Sequence, residues 1–458
     1  MIPMALTNEL AKMAVHTCYG SLPEKVIEDT KLHILDTIGC AFRGKQLGEY
    51  SRITEIYREL GGKPESSVIG DGYRIPSVNA AFSNSVMIKT AAYEDTHRLS
   101  VTHPAVVVIP AALAMAEREG ADGQTLLSSV VVGYEVLTRI GMALPPSFMN
   151  RGFQPIAVLA PFGAAAAAGK ILSFGEETMA DALSLSANLG SGLIEVMGSL
   201  ESQPVQIAKG CQAGVLSALL AQNGLKGCHT ILEGGSVCSH GFLKAFSDTV
   251  DVKKITQNLG KEFEISKTSF KIHYGCRYVH ASIDAALGCI ERYPVDLDSI
   301  HSIELRITSV AHNFLNDRPQ TGEEARFNIP YVVSVALLQG RVDCHSFSNE
   351  KLKDSKTRQL MNKVRVIRDQ KLDEEYKKTD SHFSTIIHMT TTDGTVKSHR
   401  VDFPKGEPEF PASKEELIQK FKMLVSGVVN NGRADKIITT LGRLETLKNA
   451  SEFIGLIS

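Results

Sequence analysis

Residues 91–104 place two histidines, two carboxylates and an arginine between segments of small apolar residues. They read Ala-Ala-Tyr-Glu-Asp-Thr-His-Arg-Leu-Ser-Val-Thr-His-Pro. Histidine has an unperturbed pKa of about 6.5, so His97 or His103, with the Asp95 carboxylate close by in sequence, could exchange protons in a cleft. The same pattern fits a solvated loop between two helices in which neither histidine does chemistry. These residues alone leave both interpretations open.

Length and charge narrow the class of protein. A chain of 458 residues is long for one core, because domains usually hold about 100 to 200 residues, so we expect two large domains. The 49 basic and 51 acidic residues nearly balance, which argues against nucleic acid or an anionic membrane as a partner. The longest apolar stretch, residues 156–169, is broken by Pro161 and is too short to span a bilayer. We expect a soluble protein with a small-molecule ligand and no export signal.

The cysteines give no sign of a disulfide framework or a metal site. They are scattered along the chain at Cys18, Cys40, Cys211, Cys228, Cys238, Cys276, Cys289 and Cys344. No two of them have Cys-x-x-Cys spacing, so reduced thiols in a cytoplasmic enzyme fit best. No set of three ligands has the spacing of a metal site, and we predict none.

The first part of the chain predicts buried helices. Apolar residues lie nearly all round several of them, which is typical of a helical bundle. The predicted helices span residues 106–119, 124–140, 160–172, 178–188 and 213–222. The Gly-Ala run at 163–169 resembles a nucleotide-binding loop only superficially, since no predicted strand precedes it and no Gly-Lys-Ser/Thr follows. We predict instead that its small residues let two helices approach closely.

Beyond about residue 265 the pattern changes to mixed helix and strand. Residues 302–310 alternate apolar and polar side chains, as a half-buried strand does. Residues 384–392 and 395–403 flank Asp393-Gly394, a strong hairpin signal. Helical runs at 280–291 and 330–338 lie among the strands, and helices return at 413–425 and 434–447. We therefore predict a large all-α helical domain, residues 1–265 completed by 406–458, and a smaller α+β domain, residues 266–405.

Short motifs in a fixed order resemble the MmgE/PrpD family over almost the whole chain. They are Asn79–Asn84, Glu94–His97, His103-Pro104, Gly133–Val136, Arg151–Phe153, Gly163–Ala168, Phe270-Lys271, His280 with Ile283–Ala285, and Glu324–Phe327 with Pro330-Tyr331. The resemblance implies a homodimeric enzyme without a cofactor, in which the α+β domain closes over a cleft. Members of the family include 2-methylcitrate dehydratase, cis-aconitate decarboxylase and iminodisuccinate epimerase, which act on small polycarboxylates.

These three reactions share one physical requirement. Each forms or quenches carbanion-like charge on a carbon next to a carboxylate, so the site must combine proton carriers with cations. The resemblance makes His103, Lys271, Asp95 and His97 the catalytic candidates. The candidate substrate-binding residues are Thr96, Arg98, Arg151, Gln154, Lys209, His273, Cys276, Arg277 and Tyr278.

Several candidates have ordinary structural alternatives. Taken singly, Arg98 and Arg151 fit solvated surface charges as well as carboxylate-binding groups. His273 and Tyr278 fit a second proton carrier, or aromatic packing in a segment rich in apolar residues. Cys276 fits a thiol acid, or a small buried side chain that fills space.

The sequence also departs from the family pattern. Ala92 stands where an aspartate usually begins the acidic loop. Gln154 stands where most members have a histidine, and an amide cannot exchange a proton near neutral pH. The family's lysine would fall at Gln203, so Lys209 is a possible replacement from a shifted position. The mammalian-type decarboxylases carry histidine at the position of Cys276.

We expect a lyase, a dehydratase or a decarboxylase, that acts on a small di- or tricarboxylate by proton transfer next to a carboxylate. An epimerase of a related acid is one alternative. The other is a polycarboxylate-binding protein that has kept the fold and lost the chemistry. The enzyme is favoured because His103, Asp95 and Lys271 would have little reason to occur together in a purely structural cleft.

Overall fold

The chain forms two structural units, and its C-terminal end returns to the first. The computed structural model describes residues 5–48, 50–144, 147–198, 201–313, 315–316, 318–379 and 383–458. Unit 1 comprises Met1–Ser269 and Ser413–Ser458, and unit 2 comprises Phe270–Ala412. The sequence placed the corresponding boundaries at residues 265 and 405.

Unit 1 is built mainly of helices. Up to residue 256 they are α1 (Leu6–His16), α2 (Glu24–Gln46), α3 (Ser51–Leu60), α4 (Ser77–Thr90), α5 (Ala105–Glu119), α6 (Gly123–Met142), α7 (Ser147–Asn150), α8 (Pro155–Ile171), α9 (Glu176–Ser186), α10 (Ser202–Gln222), α11 (Phe242–Phe246) and α12 (Lys253–Thr256). Short 3₁₀ helices lie at Tyr19–Ser21, Ile194–Gly198 and Glu264–Lys267. A two-residue antiparallel hairpin, β1 (Ser66–Ser67) and β2 (Arg74–Ile75), precedes α4.

Helix α8 lies at the centre of unit 1, and all its residues except Lys170 are buried. Its neighbours approach at distances that only glycine permits. A Cβ atom on Gly133 of α6 would lie 2.8 Å from the Gly163 carbonyl oxygen, and one on Gly214 of α10 would lie 2.4 Å from the Pro161 carbonyl oxygen. The small residues of α8 thus serve close helix packing, as the sequence predicted.

Pro161, which interrupts the apolar run in the sequence, lies inside a helix that starts earlier than the predicted 160–172. Helix α8 begins at Pro155 and continues through Pro161 to Ile171. Proline lacks the N–H that would bond to the Ala157 carbonyl. That carbonyl faces Gly210, where an added Cβ would lie 3.0 Å from its oxygen.

Among the described residues, no helix combines the length and apolar character needed to cross a bilayer.

Unit 2 places helices against a four-stranded mixed sheet. Its helices are α13 (His280–Arg292), α14 (Ser309–Asn313), α15 (Gly322–Ala325), α16 (Ile329–Gln339), α17 (Asn349–Leu352), α18 (Ser355–Met361) and α19 (Gln370–Thr379), and its strands are β3 (Ile300–Ile307), β4 (Val364–Arg368), β5 (Thr385–Thr391) and β6 (Val396–Val401). Short 3₁₀ helices lie at Arg277–Val279, Leu297–Ser299 and Cys344–Phe347. The strand order is β4-β3-β5-β6, with β3 and β4 parallel and the other pairs antiparallel. Asp393-Gly394 forms the turn of the β5–β6 hairpin, as predicted.

The C-terminal segment adds α20 (Lys414–Val425), α21 (Asn431–Gly442) and α22 (Ser451–Ile457) to unit 1, with a 3₁₀ turn at Leu444–Thr446. Helix α20 starts at a capping box, because Ser413 and Glu416 each accept a hydrogen bond from the other's backbone N–H, at 3.1 and 2.7 Å. Its buried face, Leu417, Phe421 and Leu424, packs on α2.

Candidate functional site

The acidic loop, defined here as residues 92–103, joins α4 to α5. The His97 N–H donates to the Thr102 carbonyl at 2.9 Å and the Thr102 N–H returns a bond at 3.2 Å. Thr96 forms a similar reciprocal pair with Ser269, at 2.9 and 2.8 Å. Val101 has φ +53°, a left-handed conformation that is costly for a β-branched residue. The loop is therefore anchored at several points, unlike a freely solvated connection.

His103 is held in one tautomer by a backbone carbonyl. Its Nδ1 lies 2.6 Å from the carbonyl oxygen of Asp95 and 3.3 Å from Oγ1 of Thr96. A carbonyl oxygen only accepts hydrogen bonds, so in the neutral ring the proton is on Nδ1 and Nε2 carries the lone pair. The side chain is 24% exposed. His103 is thus oriented as a base that solvent or a small molecule can reach.

Asp95 is buried, and both of its carboxylate oxygens bind groups of unit 1. Oδ1 accepts the Ala105 N–H at the start of α5 at 3.1 Å, and Oδ2 accepts the Tyr134 hydroxyl at 2.7 Å. His33 Nδ1 lies 3.4 Å from Oδ2. Burial, with the charge of Asp95, raises the pKa of Tyr134 well above its usual range, so the hydroxyl remains a donor. This environment suits a carboxylate that ties the loop to α5 and α6.

His97 is 1% exposed, and both of its ring nitrogens are engaged. Nδ1 accepts the Ser100 N–H at 3.3 Å and lies 2.8 Å from the Ser100 hydroxyl. That hydroxyl is 2.6 Å from Oγ1 of Thr102, the residue before His103. Nε2 lies 3.1 Å from Oε2 of Glu264. The ring of His97 thus links the loop to the 3₁₀ helix at 264–267.

Glu264 belongs to a buried network that was not predicted from the sequence. Oε1 lies 3.0 Å from Lys267 Nζ and 3.9 Å from Arg139, and Arg139 pairs with Glu135 at 2.7 Å. Burial by itself would raise the pKa of Glu264, but the hydrogen bond and charge of His97, with those of Lys267, lower it to about 2. Burial outweighs Arg139 at Glu135 and raises the pKa of that carboxyl to about 7. The sequence signal was a Glu–Arg pair at i, i+4 in an otherwise apolar helix.

The other candidates of unit 1 lie nearer the surface or serve the backbone. Arg151 is 39% exposed and lies 3.7 Å from the exposed carboxylate of Asp248. Lys209 is exposed on α10 and donates to the Gln212 side chain at 2.8 Å. Gln154 is 9% exposed, and its backbone N–H donates to the Gly192 carbonyl at 2.9 Å, just before α8. Arg98 is half-buried in the acidic loop.

In unit 2 the guanidinium of Arg277 is bound to protein groups. Its Nε and Nη2 donate to Oε1 of Glu407 at 2.9 and 2.5 Å. Nη1 donates to His280 Nδ1 at 3.1 Å and lies 3.4 Å from the Phe270 and Lys405 carbonyls. Arg277 is 4% exposed and Glu407 1%. Its donors thus meet acceptors of the fold, and a role for Arg277 in binding a substrate carboxylate stays a prediction.

His273, Lys271 and Tyr278 are further candidates of unit 2 that carry titratable side chains. His273 Nε2 lies 2.7 Å from Oδ1 of Asp284, whose other oxygen accepts the Lys405 N–H at 2.7 Å. Lys271 is 3% exposed. Burial raises the pKa of Tyr278, with Cys276 adding to the shift, so the phenol stays protonated at neutral pH.

The cysteines and other ligand-type side chains of the described residues form neither a disulfide nor a metal site. Cys276 is partly exposed, and no disulfide joins any two of the eight cysteines, all of which lie among the described residues. In the part of the chain that the structure describes, no three His, Cys, Asp or Glu side chains are grouped so as to hold a metal ion.

Comparison with known proteins accounts for nearly all of the sequence. Residues 8–254 match the MmgE/PrpD N-terminal domain, and residues 273–446 match the MmgE/PrpD C-terminal domain. The chain belongs to the MmgE/PrpD family. The cis-aconitate decarboxylase of Mus musculus is 26% identical to it over 100% of this chain and 94% of that protein. The cis-aconitate decarboxylase of Aspergillus terreus is 24% identical over 99% and 96%, and the mitochondrial 2-methylcitrate dehydratase of Yarrowia lipolytica is 21% identical over 94% and 86%.

The groups behind the acidic loop of this MmgE/PrpD chain were not among the residues predicted from sequence. They are His33 and Asp36 of α2, Tyr134 of α6, Glu264, and Lys420 of α20. All five are buried. A polar residue within an apolar helix was the available signal, but spacing alone gives no indication of which loop it faces.

Proposed function

We propose that this protein is a cofactor-independent lyase that acts on a small di- or tricarboxylate by proton transfer at a carbon next to a carboxylate. The observation that carries the proposal is the 2.6 Å contact between His103 Nδ1 and the Asp95 carbonyl, which leaves Nε2 as the basic nitrogen. Similarity over nearly the full chain to proteins named cis-aconitate decarboxylase and 2-methylcitrate dehydratase supports the substrate class.

In this proposal His103 moves the proton. In a dehydration, Nε2 would take the proton from carbon, the carbon–oxygen bond would break, and the leaving hydroxide would be protonated to water by the His103 imidazolium. In a decarboxylation, His103 would start protonated: the carbon–carbon bond would break, carbon dioxide would leave, and His103 would donate its proton to the carbanion and regain one from solvent. Either reaction places negative charge beside a carboxylate, which a cation must stabilise. Lys271 is the candidate that the family resemblance implies for this role.

Asp95 and His97 receive a different role from the one that their types suggested. Both are 1% exposed, and their polar atoms bind α5, α6 and the 264–267 turn. We therefore propose that they position the loop that orients His103. Thr96 contributes through its hydroxyl, 3.3 Å from Nδ1 of His103.

Two alternatives have specific support. An epimerase needs a second proton carrier, and the 2.7 Å contact of His273 with Asp284 supports such a role. A polycarboxylate-binding protein without turnover is supported by Gln154 and Ala92, which stand where the family usually has a histidine and an aspartate. Both alternatives use the same class of small acid.

Hydrogen exchange at carbon tests the proposal without assuming a product. The protein is incubated in deuterated water with citrate-like, aconitate-like and aspartate-derived acids, and deuterium uptake is followed by NMR. We expect uptake into one acid, and His103→Gln should slow it at least about 100-fold. The matched control is His229→Gln, since His229 is 29% exposed and pairs with Asp181 at 2.9 Å in the same unit; this variant should retain the wild-type rate.

The outcomes separate the three functions. Uptake with a new double bond or loss of carbon dioxide supports a lyase, and uptake with loss of optical rotation alone supports an epimerase. An acid that raises the melting temperature without any exchange supports the binding protein. Wild-type exchange in His103→Gln contradicts the assigned base.

We further propose a homodimer in a reducing compartment such as the cytoplasm, with no nucleic-acid or membrane partner. The dimer is what the family resemblance implies, and the scattered spacing of the cysteines supports the compartment. Sedimentation at micromolar concentration tests the dimer, and a monomeric mass there contradicts it.

A further inference from the structure

A buried ion pair lies behind the acidic loop of unit 1. Lys420 Nζ of α20 lies 2.6 Å from Oδ1 of Asp36 on α2, and the two side chains are 4% and 2% exposed. Burying two charges is costly unless they are paired and their remaining hydrogen-bonding groups are satisfied. The remaining N–H donors of the Lys420 ammonium therefore need hydrogen-bond acceptors inside the protein.

The same ammonium binds the backbone of the acidic loop's first turn. Lys420 Nζ donates to the Tyr93 carbonyl at 2.9 Å and lies 5.5 Å from the centre of the Tyr93 ring. Tyr93 is two residues before Asp95, whose own carbonyl accepts the Nδ1 proton of His103 at 2.6 Å. One ammonium thus fixes the chain just ahead of the carbonyl that sets the His103 tautomer.

Packing between α2 and α20 leaves Lys420 little freedom. Phe421 and Leu424 are buried at 0% and 1% exposure. A Cβ on Gly39 of α2 would lie 3.1 Å from Leu424 Cδ1, so the two helices approach closely at the turn next to Asp36. The position of Nζ is therefore set by the helix pair rather than by a mobile side chain.

We propose that Lys420 is a positioning residue for His103: by holding the Tyr93 carbonyl, the C-terminal helix α20 sets the backbone that fixes the tautomer and direction of the His103 ring. This rests on the proposed function of His103 as the proton carrier. Lys420 itself touches no reacting atom in this assignment. A purely structural ion pair would affect the stability of the fold but not the protonation of His103.

The test removes the ammonium without leaving an unpaired buried charge. In Asp36→Asn/Lys420→Met both charges are lost together. The matched control is Lys31→Met/Glu445→Gln, since Lys31 Nζ also lies on α2, is 7% exposed, pairs with Glu445 at 2.9 Å and donates to the Gly442 carbonyl at 3.0 Å. Both variants remove a lysine–carboxylate pair between α2 and the C-terminal segment, but only the first removes a bond to the acidic loop. In the control, Glu445 is 24% exposed, and Glu28, which also lies 2.8 Å from Lys31 Nζ, keeps Lys414 at 3.4 Å.

Two readouts are compared in the full-length protein. Nitrogen-15 NMR of the histidine rings reports the tautomer and titration of His103, assigned by its loss in His103→Gln. Steady-state kinetics with the acid that exchanges deuterium gives kcat and KM. The NMR readout needs no substrate, so it still decides the positioning role if the proposed function fails.

In Asp36→Asn/Lys420→Met we expect a mixed His103 tautomer and a kcat lowered by about 10- to 100-fold with KM nearly unchanged. The control should keep the wild-type tautomer and kcat. Lys420→Arg, which keeps a charged donor, should show nearly the wild-type His103 tautomer and kcat.

An unchanged His103 spectrum and kcat in the folded Asp36→Asn/Lys420→Met protein overturns the proposal, as does an equal change in the control. If that variant fails to fold, Asp36→Leu/Lys420→Met is judged by the same readouts, because it removes both charges and leaves no polar side chain in the buried space. A normal tautomer in this second variant also overturns the assignment.

Discussion

Two polar segments, one in each unit, use similar residues in different ways. In the acidic loop of unit 1, the buried side chains of Asp95 and His97 bind separate parts of the bundle. His103, at 24% exposure, is left with a defined tautomer. In residues 271–284 of unit 2, Arg277 meets Glu407, and His273 meets Asp284.

The comparison teaches that residue type does not fix a role. Arginine is the usual partner of a substrate carboxylate, yet Arg277 neutralises a buried glutamate of its own unit. Histidine is the usual proton carrier, yet His97 is a buried connector six residues before the more exposed His103. In the acidic loop, the two histidines differ most in burial, since His97 is 1% exposed and His103 is 24% exposed.

The largest expected effect tests the unit 2 side of this comparison. Arg277→Met leaves the buried Glu407 charge without its partner, so we expect the free energy of unfolding to fall by about 3 to 5 kcal/mol. Removing both charges in Arg277→Met/Glu407→Leu should recover most of the loss. Urea unfolding measures both variants. If Arg277→Met keeps its stability and instead raises KM for the acid more than about tenfold, the arginine is a substrate cation after all.

A smaller effect tests the buried network of the acidic loop through its pH dependence. Glu264 has a folded-state pKa of about 2, below the ordinary 4.5. Its contribution is therefore present above pH 4.5 and is lost as pH falls toward 2; it amounts to roughly 3 kcal/mol. Glu264→Gln should remove this group's contribution to the pH dependence of the unfolding free energy below pH 4.5. A slope identical to wild type below pH 4.5 would contradict the assignment.

Glu135 supplies the contrast in the same measurement. Its folded-state pKa is about 7, above the ordinary 4.5, so the native state binds the proton more tightly than the unfolded chain. This group therefore makes stability fall as pH rises from 4.5 to 7. Glu135→Gln should flatten that part of the curve and leave the part below pH 4.5 unchanged.

The smallest effect concerns the backbone of the acidic loop. Val101 is held at φ +53°, where asparagine is tolerated far better than a β-branched residue. We expect Val101→Asn to raise the free energy of unfolding by up to about 1 kcal/mol, because strain of this kind costs on the order of 1 kcal/mol or more. Chemical denaturation measures it, with Val106→Asn in buried α5 as the destabilising control. A loss of stability at Val101 would mean that its side-chain packing outweighs the strain.

Much of the secondary structure could be predicted because it depends on local chemistry. The alternation in β3, the Asp393-Gly394 turn of the β5–β6 hairpin and the helical run at 413–425 that forms α20 all depend on short-range patterns. The start of α8 was predicted five residues late, at residue 160. The missing N–H of Pro161 is tolerated inside the helix, where the Ala157 carbonyl faces Gly210 of α10.

The sequence by itself determined where helices and strands form, and it marked residues 91–104 as a concentration of groups able to move protons. Only the tertiary structure decided which of those groups have partners. His97 meets Glu264 across 167 residues of sequence, and Lys420 reaches Tyr93 across 327. Helical and strand periods describe which face a side chain occupies on its own element. These periods carry no information about which distant charged residue will be buried against a side chain. That burial is what distinguishes the buried, structural His97 from the oriented base His103.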